Sequence, residues 1–260
     1  MELTPTSESR GRAVHEVHVF PSSAGASHAG AASFVEQALQ ATAERGRFIV
    51  ALSGGDTPRA MYELLAQEPF TSMVPWERVH LFWGDDRAVP PDHARSNYRM
   101  AREAFIGRVP IPDANVHRIH GELPAEEAAR RCQQELERIF GDVHVPVFDL
   151  VHLGIGPDGH TASLFPHTAA LTETEAWVTT NIDRSHGNEP RVTLTFPVIN
   201  AARRVEVLLL EPQKAELVRK VLAGEGSVEE LPARGIAPRG PVIWLLTEGA
   251  ARRIRPRGGR

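Results

Sequence analysis

The residues best equipped for chemistry lie in the stretch 148–166, FDLVHLGIGPDGHTASLFP. An apolar run (Phe148, Leu150, Val151, Leu153) closes on Gly154, Gly156 and Gly159, and His160 follows immediately. A short apolar run closed by glycines reads as a buried strand feeding a loop. Open α/β sheets gather their chemistry at the carboxyl ends of such strands. An imidazole held there can take a proton from water near neutral pH and give it back. His160 is therefore the candidate catalytic group. The Thr-Ala-Ser-Leu segment after it is read as able to start a helix.

Two further loops carry suitable residues. Ser53-Gly54-Gly55-Asp56-Thr57-Pro58 joins a strand to a helix. Its glycines let backbone N–H groups approach an anion, the helix start adds partial positive charge, and Ser53 and Thr57 add hydroxyls. The residues fit a phosphate-binding loop, or equally a tight turn with Thr57 as a cap. GxxxxGK[ST] is absent, so a nucleoside triphosphate is not implied. Gly84-Asp85-Asp86-Arg87, followed by Ser96-Asn97-Tyr98, offers paired carboxylates and a guanidinium able to grip an anion, or else an exposed charged turn. Arg191 at the start of RVTLTF and Lys214 at the start of a helix are surface charges when taken singly. Both also stand where a phosphate pocket needs cations.

Gly154-x-Gly156-x-x-Gly159 also matches the dinucleotide fingerprint GxGxxG, which needs a following helix and an acidic residue about 20 positions on. Asp183 falls loosely in range, so a nicotinamide-dependent oxidoreductase is the alternative reading. Against it, the fingerprint normally opens a domain, and here several α/β units precede it. His144, His152, His160 and His167 lack ligand-pair spacing such as HExxH, and no metal site is expected.

These loops need a scaffold, and the rest of the chain reads as one. Strands are expected at 15–20, 47–52, 79–83, 116–119, 148–153, 176–182, 191–196, 205–210 and 242–246. Helices are expected at 22–45 with Gly46 as the stop, 58–66 with Pro58 in its first turn, 95–106, 125–140, 213–222 and 248–254. Alternation of this kind predicts a single Rossmann-like α/β domain over 13–255, its sheet mainly parallel with helices on both faces. Residues 1–12 read as a flexible N-terminus and 256–260 as a flexible basic tail. With 42% hydrophobic and 24% charged residues the 260-residue chain has an ordinary globular composition. A net charge of −4 gives no general attraction to nucleic acid or anionic membrane. The one cysteine, Cys132, rules out an internal disulfide and a cysteine-based zinc site. No apolar run nears the roughly 20 residues of a membrane span, and the polar N-terminus does not read as a signal peptide, so the expected location is the cytoplasm.

Taken together, SGGDTP (53–58), GDDRAVPPDHARSNY (84–98), the 148–166 stretch and PRVTLTFPVINAA (190–202) closely resemble the 6-phosphogluconolactonases, over about residues 15–255. The block around His160 is the specific part. SGGxTP and the acidic-Arg turn are shared with glucosamine-6-phosphate deaminases, which carry Asn-Glu-Pro where this chain has Ser163-Leu164-Phe165-Pro166. The resemblance implies hydrolysis of 6-phosphoglucono-δ-lactone, with His160 as the base that activates water and Asp158 orienting or polarising the site. It implies that Arg87 and Asp85 line the pocket, and that Ser53, Gly54, Gly55 and Thr57 bind the 6-phosphate with Arg191 and Lys214 as cationic helpers. It also implies no metal or organic cofactor, a small sugar-phosphate lactone as partner, and a monomer or weak homo-oligomer. The chain departs from the family at Asp86 (usually Glu), at Thr247 (often Asp) and at Glu211-Pro212-Gln213, where a glycine is common.

Overall fold

The computed structural model describes residues 14–254, so the expectations for 1–12 and 256–260 lie outside the described residues. Six strands form one all-parallel sheet in the order β1-β9-β8-β5-β2-β3: β1 (His15–Phe20), β2 (Phe48–Leu52), β3 (Val79–Trp83), β5 (Leu150–Leu153), β8 (Val205–Leu209) and β9 (Val242–Thr247). Five consecutive buried residues in each of β2 (FIVAL) and β8 (VEVLL) show that both faces of the sheet are covered. β1, at one edge, is largely exposed.

Helix α1 (Ser23–Arg45) obeys its sequence signals: the Ser22 hydroxyl accepts from the Gly25 N–H at 3.1 Å, and Gly46 ends it at φ 78°. Helix α2 (Asp56–Leu65) begins two residues before Pro58, with Gly55 as its cap, and α3 (Phe70–Met73) follows. Helices α4 (Asn97–Ala104), α5 (Ala125–Phe140), α6 (Phe196–Ala201), α7 (Ala215–Ala223) and α8 (Glu248–Ala251) complete the set. An aromatic group of Phe34, Phe48, Trp76 and Phe105 packs where α1 meets the sheet, with Phe34 and Phe48 edge to face at 5.2 Å.

Two expectations are corrected. The strand expected at 116–119 is a single bridge, Val116 to Leu81. The strands near 176–182 and 191–196 do not join the parallel sheet. β6 (Val178–Asp183) and β7 (Glu189–Leu194) pair antiparallel, and the acidic-Arg stretch joins them as β4 (Asp85–Arg87), in the order β4-β7-β6. The chain crosses between sheets at Gly84, whose N–H donates to Leu52 O in the parallel sheet while its carbonyl accepts from Leu194 N–H in the other. Asp85 and Asp86 are thus buried in a sheet, with Arg87 half-buried at its end, and the stretch is no exposed turn.

Candidate active site

β2 and β5 are neighbours, but the chain leaves β2 toward β3 on one side and leaves β5 toward β8 on the other. Such a reversal opens a crevice at the strands' carboxyl ends, the place where open α/β sheets bind ligands. The loops 53–57 and 154–160 run from the two strands that border it, and β4 begins beside them.

His160 is held from three sides. Its Nδ1 lies 2.5 Å from Asp158 Oδ1, which also accepts the His160 backbone N–H at 3.2 Å. Phe165 meets the ring edge to face at 4.7 Å. Gly156 lies flat against the imidazole: a Cβ there would come within 2.0 Å of Cε1, so any side chain would drive the ring away. Burial alone would raise the Asp158 carboxyl, but the hydrogen bond and charge attraction of His160 outweigh it and hold the group below its ordinary value. An ionised carboxylate only accepts hydrogen bonds. The Nδ1 therefore carries the proton and Nε2 presents its lone pair, which is what a general base requires. The side chain is 26% exposed, open enough to meet a substrate.

Asp85 and Arg87 stand on β4 opposite Thr193 and Arg191 of β7, so the alternation of strand side chains puts all four on one face. Asp85 accepts from the Ser163 hydroxyl at 2.6 Å, and the Thr193 hydroxyl accepts the Ser163 N–H at 3.2 Å. This pins the segment that carries Phe165. Arg87 donates through Nη1 to Asn97 Oδ1 at 3.0 Å and to the Arg95 carbonyl, while its Nε is buried without a partner. Asp86 does different work: it accepts the backbone N–H groups of Arg87, Asn97 and Tyr98, tying α4 to β4. Burial lifts its carboxyl to about 6 against those donors, with Asp85 adding to the rise.

The glycine loop meets this sheet through Asn97. Asn97 Nδ2 donates to Asp85 O at 2.9 Å, and a Cβ on Gly54 would fall 1.8 Å from Asn97 Oδ1. Only glycine allows the loop to lie there. The Tyr62 hydroxyl fixes the loop's first residue, accepting Ser53 N–H at 3.0 Å and donating to Ser53 O at 3.2 Å. Gly55, at φ 99°, has no side chain with which to cap α2, so the first N–H groups of that helix remain for an anion. Thr57 and Lys214 converge on Glu211, whose Oε1 accepts from Thr57 Oγ1 at 2.8 Å and from Lys214 Nζ at 3.1 Å. Burial opposes ionisation of Glu211, yet Thr57 and Lys214 together hold its carboxyl below the usual range.

With this geometry, similarity to known proteins decides the family. Residues 21–244 match the family described as glucosamine-6-phosphate isomerases/6-phosphogluconolactonase. The chain belongs to this family. It is 44% identical over 220 residues to a 6-phosphogluconolactonase from Synechocystis sp., covering 84% of this chain and 89% of that one. It is 41% identical over 211 residues to one from Nostoc sp., covering 80% and 85%. The solved structure of 6-phosphogluconolactonase from Trypanosoma brucei superposes with a TM-score of 0.83 at 30% identity, covering 94% of this chain and all of that one.

Membership of the family puts the departures in context. Thr247 caps α8, accepting the Ala250 N–H at 3.2 Å, as an aspartate would. Asp86 turns to backbone donors, so its shorter arm reaches α4 and not the pocket. Arg191 differs most from expectation. It is 4% exposed, its guanidinium is held by Asp183 and by Glu189, and its Cζ lies 6.0 Å from the centre of the Phe165 ring. Among the described residues none of its hydrogen bonds, ion pairs or ring contacts is with the 53–57 loop or Lys214; it stands behind Phe165. The dinucleotide reading fails at two points. Residues 161–164 form a tight bridge turn, with Ala162 at φ 48°, so no helix follows the glycines. Asp183 is buried against Arg191, Ser185 and His186. Among the described residues no group of three or more His, Cys, Asp or Glu gathers as a metal site. Sequence reasoning assigned no positioning role to Asn97, Tyr62, Ser163 or Glu211, since an amide, a phenol or a hydroxyl has no telling spacing until the fold supplies its partner.

Proposed function

We propose that this protein hydrolyses 6-phospho-D-glucono-1,5-lactone to 6-phosphogluconate, the second step of the oxidative pentose phosphate pathway, in the cytoplasm and as a monomer or weak homo-oligomer. The observation that carries the reading is the Asp158–His160 pair, with Nε2 free, across the crevice from the uncapped start of α2. The 44% identity to a 6-phosphogluconolactonase supports the same substrate.

The 6-phosphate is taken by the Ser53–Thr57 loop and Lys214, which moors the sugar and fixes C1 near His160. Nε2 of His160 accepts a proton from water as the water oxygen bonds to C1. The lactone carbonyl becomes an oxyanion, and Arg87, whose buried Nε lacks a partner, is the donor suited to receive that charge. The adduct then collapses: the bond from C1 to the ring oxygen breaks, and the imidazolium returns its proton to that oxygen. Asp158 stabilises the imidazolium while it exists. The SLFP sequence at 163–166, with Ser163 engaged by Asp85, leaves no glutamate at the position the deaminases use.

The deciding experiment is lactone hydrolysis by His160→Ala, corrected for the spontaneous reaction. General acid–base help supplies about 10²–10⁴-fold, so kcat should fall by that much. Near-normal turnover would remove His160 from the scheme, and ligand affinity without turnover in the unaltered protein would leave a binding protein instead.

A further inference from the structure

A cavity of about 770 Å³ opens beside β3, at the edge of the parallel sheet, between the end of α4, the middle of α5 and the segment 113–120. None of its lining residues belongs to the 53–57 loop, β4, the 154–160 loop or the 211–214 turn. The volume is that of a small-molecule site. Four arginines line it, Arg102, Arg118, Arg131 and Arg138, against two carboxylates, Asp113 and Glu135, on a protein whose net charge is −4.

The arginines divide by role. Arg118 is clamped by both Glu122 oxygens, at 2.7 and 2.8 Å, and its guanidinium lies over the Tyr98 ring, 5.7 Å from the centre. Arg138 is held by Glu135, which also takes His117 Nδ1 at 2.6 Å. These pairs line one wall, completed by His117 stacked on Phe82 at 4.4 Å. Arg102, in the last turn of α4, and Arg131, on α5, are exposed and form no hydrogen bond or ion pair among the described residues. Two unpaired guanidinium forks from two helices, both lining one cavity, match a multiply charged phosphate better than a singly charged or neutral ligand.

We propose that this cavity is a second anion site, separate from the lactone site, that takes a small, multiply charged phosphate between Arg102 and Arg131. The shared chemistry is the phosphate group, whether inorganic diphosphate or an organic phosphate ester with its body against Tyr98.

Calorimetric titration at fixed ionic strength tests it, with inorganic pyrophosphate in one arm and AMP in the other. The variants are R102A/R131A and, as a control of equal charge change, R184A/R239A, whose arginines are exposed and lie outside the cavity. All four side chains are exposed, so folding should survive, and thermal melts check that. The expected result is binding by the unaltered protein, weakened at least about tenfold in R102A/R131A and less than about twofold in the control. Tighter binding of AMP than of pyrophosphate identifies an ester as the occupant, and the reverse identifies the inorganic ion. The proposal is overturned if neither probe binds below about 5 mM, or if the two variants weaken binding equally.

Discussion

With His160 as the proposed base, its chemistry depends on which ring nitrogen holds the proton, and Asp158 sets that through its contact with Nδ1. Asp158→Asn keeps the shape but presents an amide that can donate to Nδ1, favouring the wrong tautomer and removing the charge that steadies the imidazolium. It should lower kcat by roughly 10- to 1000-fold with little change in KM, read from steady-state hydrolysis corrected for the spontaneous rate. Glu211 calls for a different expectation. Its carboxylate rests on two groups proposed to bind the phosphate, Thr57 and Lys214, so a phosphate bound there would share them with a like charge. Glu211→Gln should lower KM for the phosphorylated lactone by about fivefold, the equivalent of roughly 1 kcal/mol for a partly exposed charge, and leave a non-phosphorylated lactone unaffected. A raised KM in that variant would mean that Glu211 serves to order Lys214.

Among the elements, the 53–57 loop shows how little of its shape is its own. Tyr62, nearly two turns into α2, holds Ser53 by both its N–H and its carbonyl, so the helix that follows the loop also fixes the loop's start. Tyr62→Phe removes the acceptor for the Ser53 N–H. It should cost about 1–3 kcal/mol of stability and raise KM more than it lowers kcat, measured by thermal melts and by steady-state kinetics. The long elements are legible in the sequence: α5 has the limits its periodicity predicts, and β3 and β1 likewise. The antiparallel sheet was not. Its strand β4 is three charged residues long, and no periodicity exists in Asp-Asp-Arg. The strand is defined by what pairs with it, 100 or so residues later.

For the molecule as a whole, a pair of histidines away from the active site should contribute to a loss of stability in acid. His80 Nδ1 lies 3.0 Å from His117 Nε2, and His117 Nδ1 lies 2.6 Å from Glu135. Burial first, then the His117, Arg47 and Arg138 charges, lowers His80 from 6.5 to about 4. The unfolded chain therefore binds a proton at His80 before the folded one does, and stability should fall as pH drops from 6.5 toward 4. His80→Asn keeps a donor toward His117 but does not titrate, so its melting temperature should vary less across that window; identical pH profiles for the two proteins would rule the pair out as the cause. No helix among the described residues is long and apolar enough to cross a membrane.

Local chemistry alone determined the parallel strands, the long helices and the glycine-bounded loops, because periodicity, caps and turn residues act between near neighbours in the chain. It also marked His160 and the Ser53–Thr57 loop as candidates, since a histidine behind glycines at a strand end and a glycine loop before a helix are suited to such chemistry without being confined to it. Only the tertiary structure decided that Asp85 and Arg87 belong to a second sheet, that Asn97 joins two loops, that Arg191 is consumed by Asp183 and Glu189, and that Glu211 sits on Thr57 and Lys214. Each of those outcomes is a contact between residues far apart in sequence. A charged or amide side chain takes its role from whichever partner burial brings to it, and that partner is unknown until the sheets have closed.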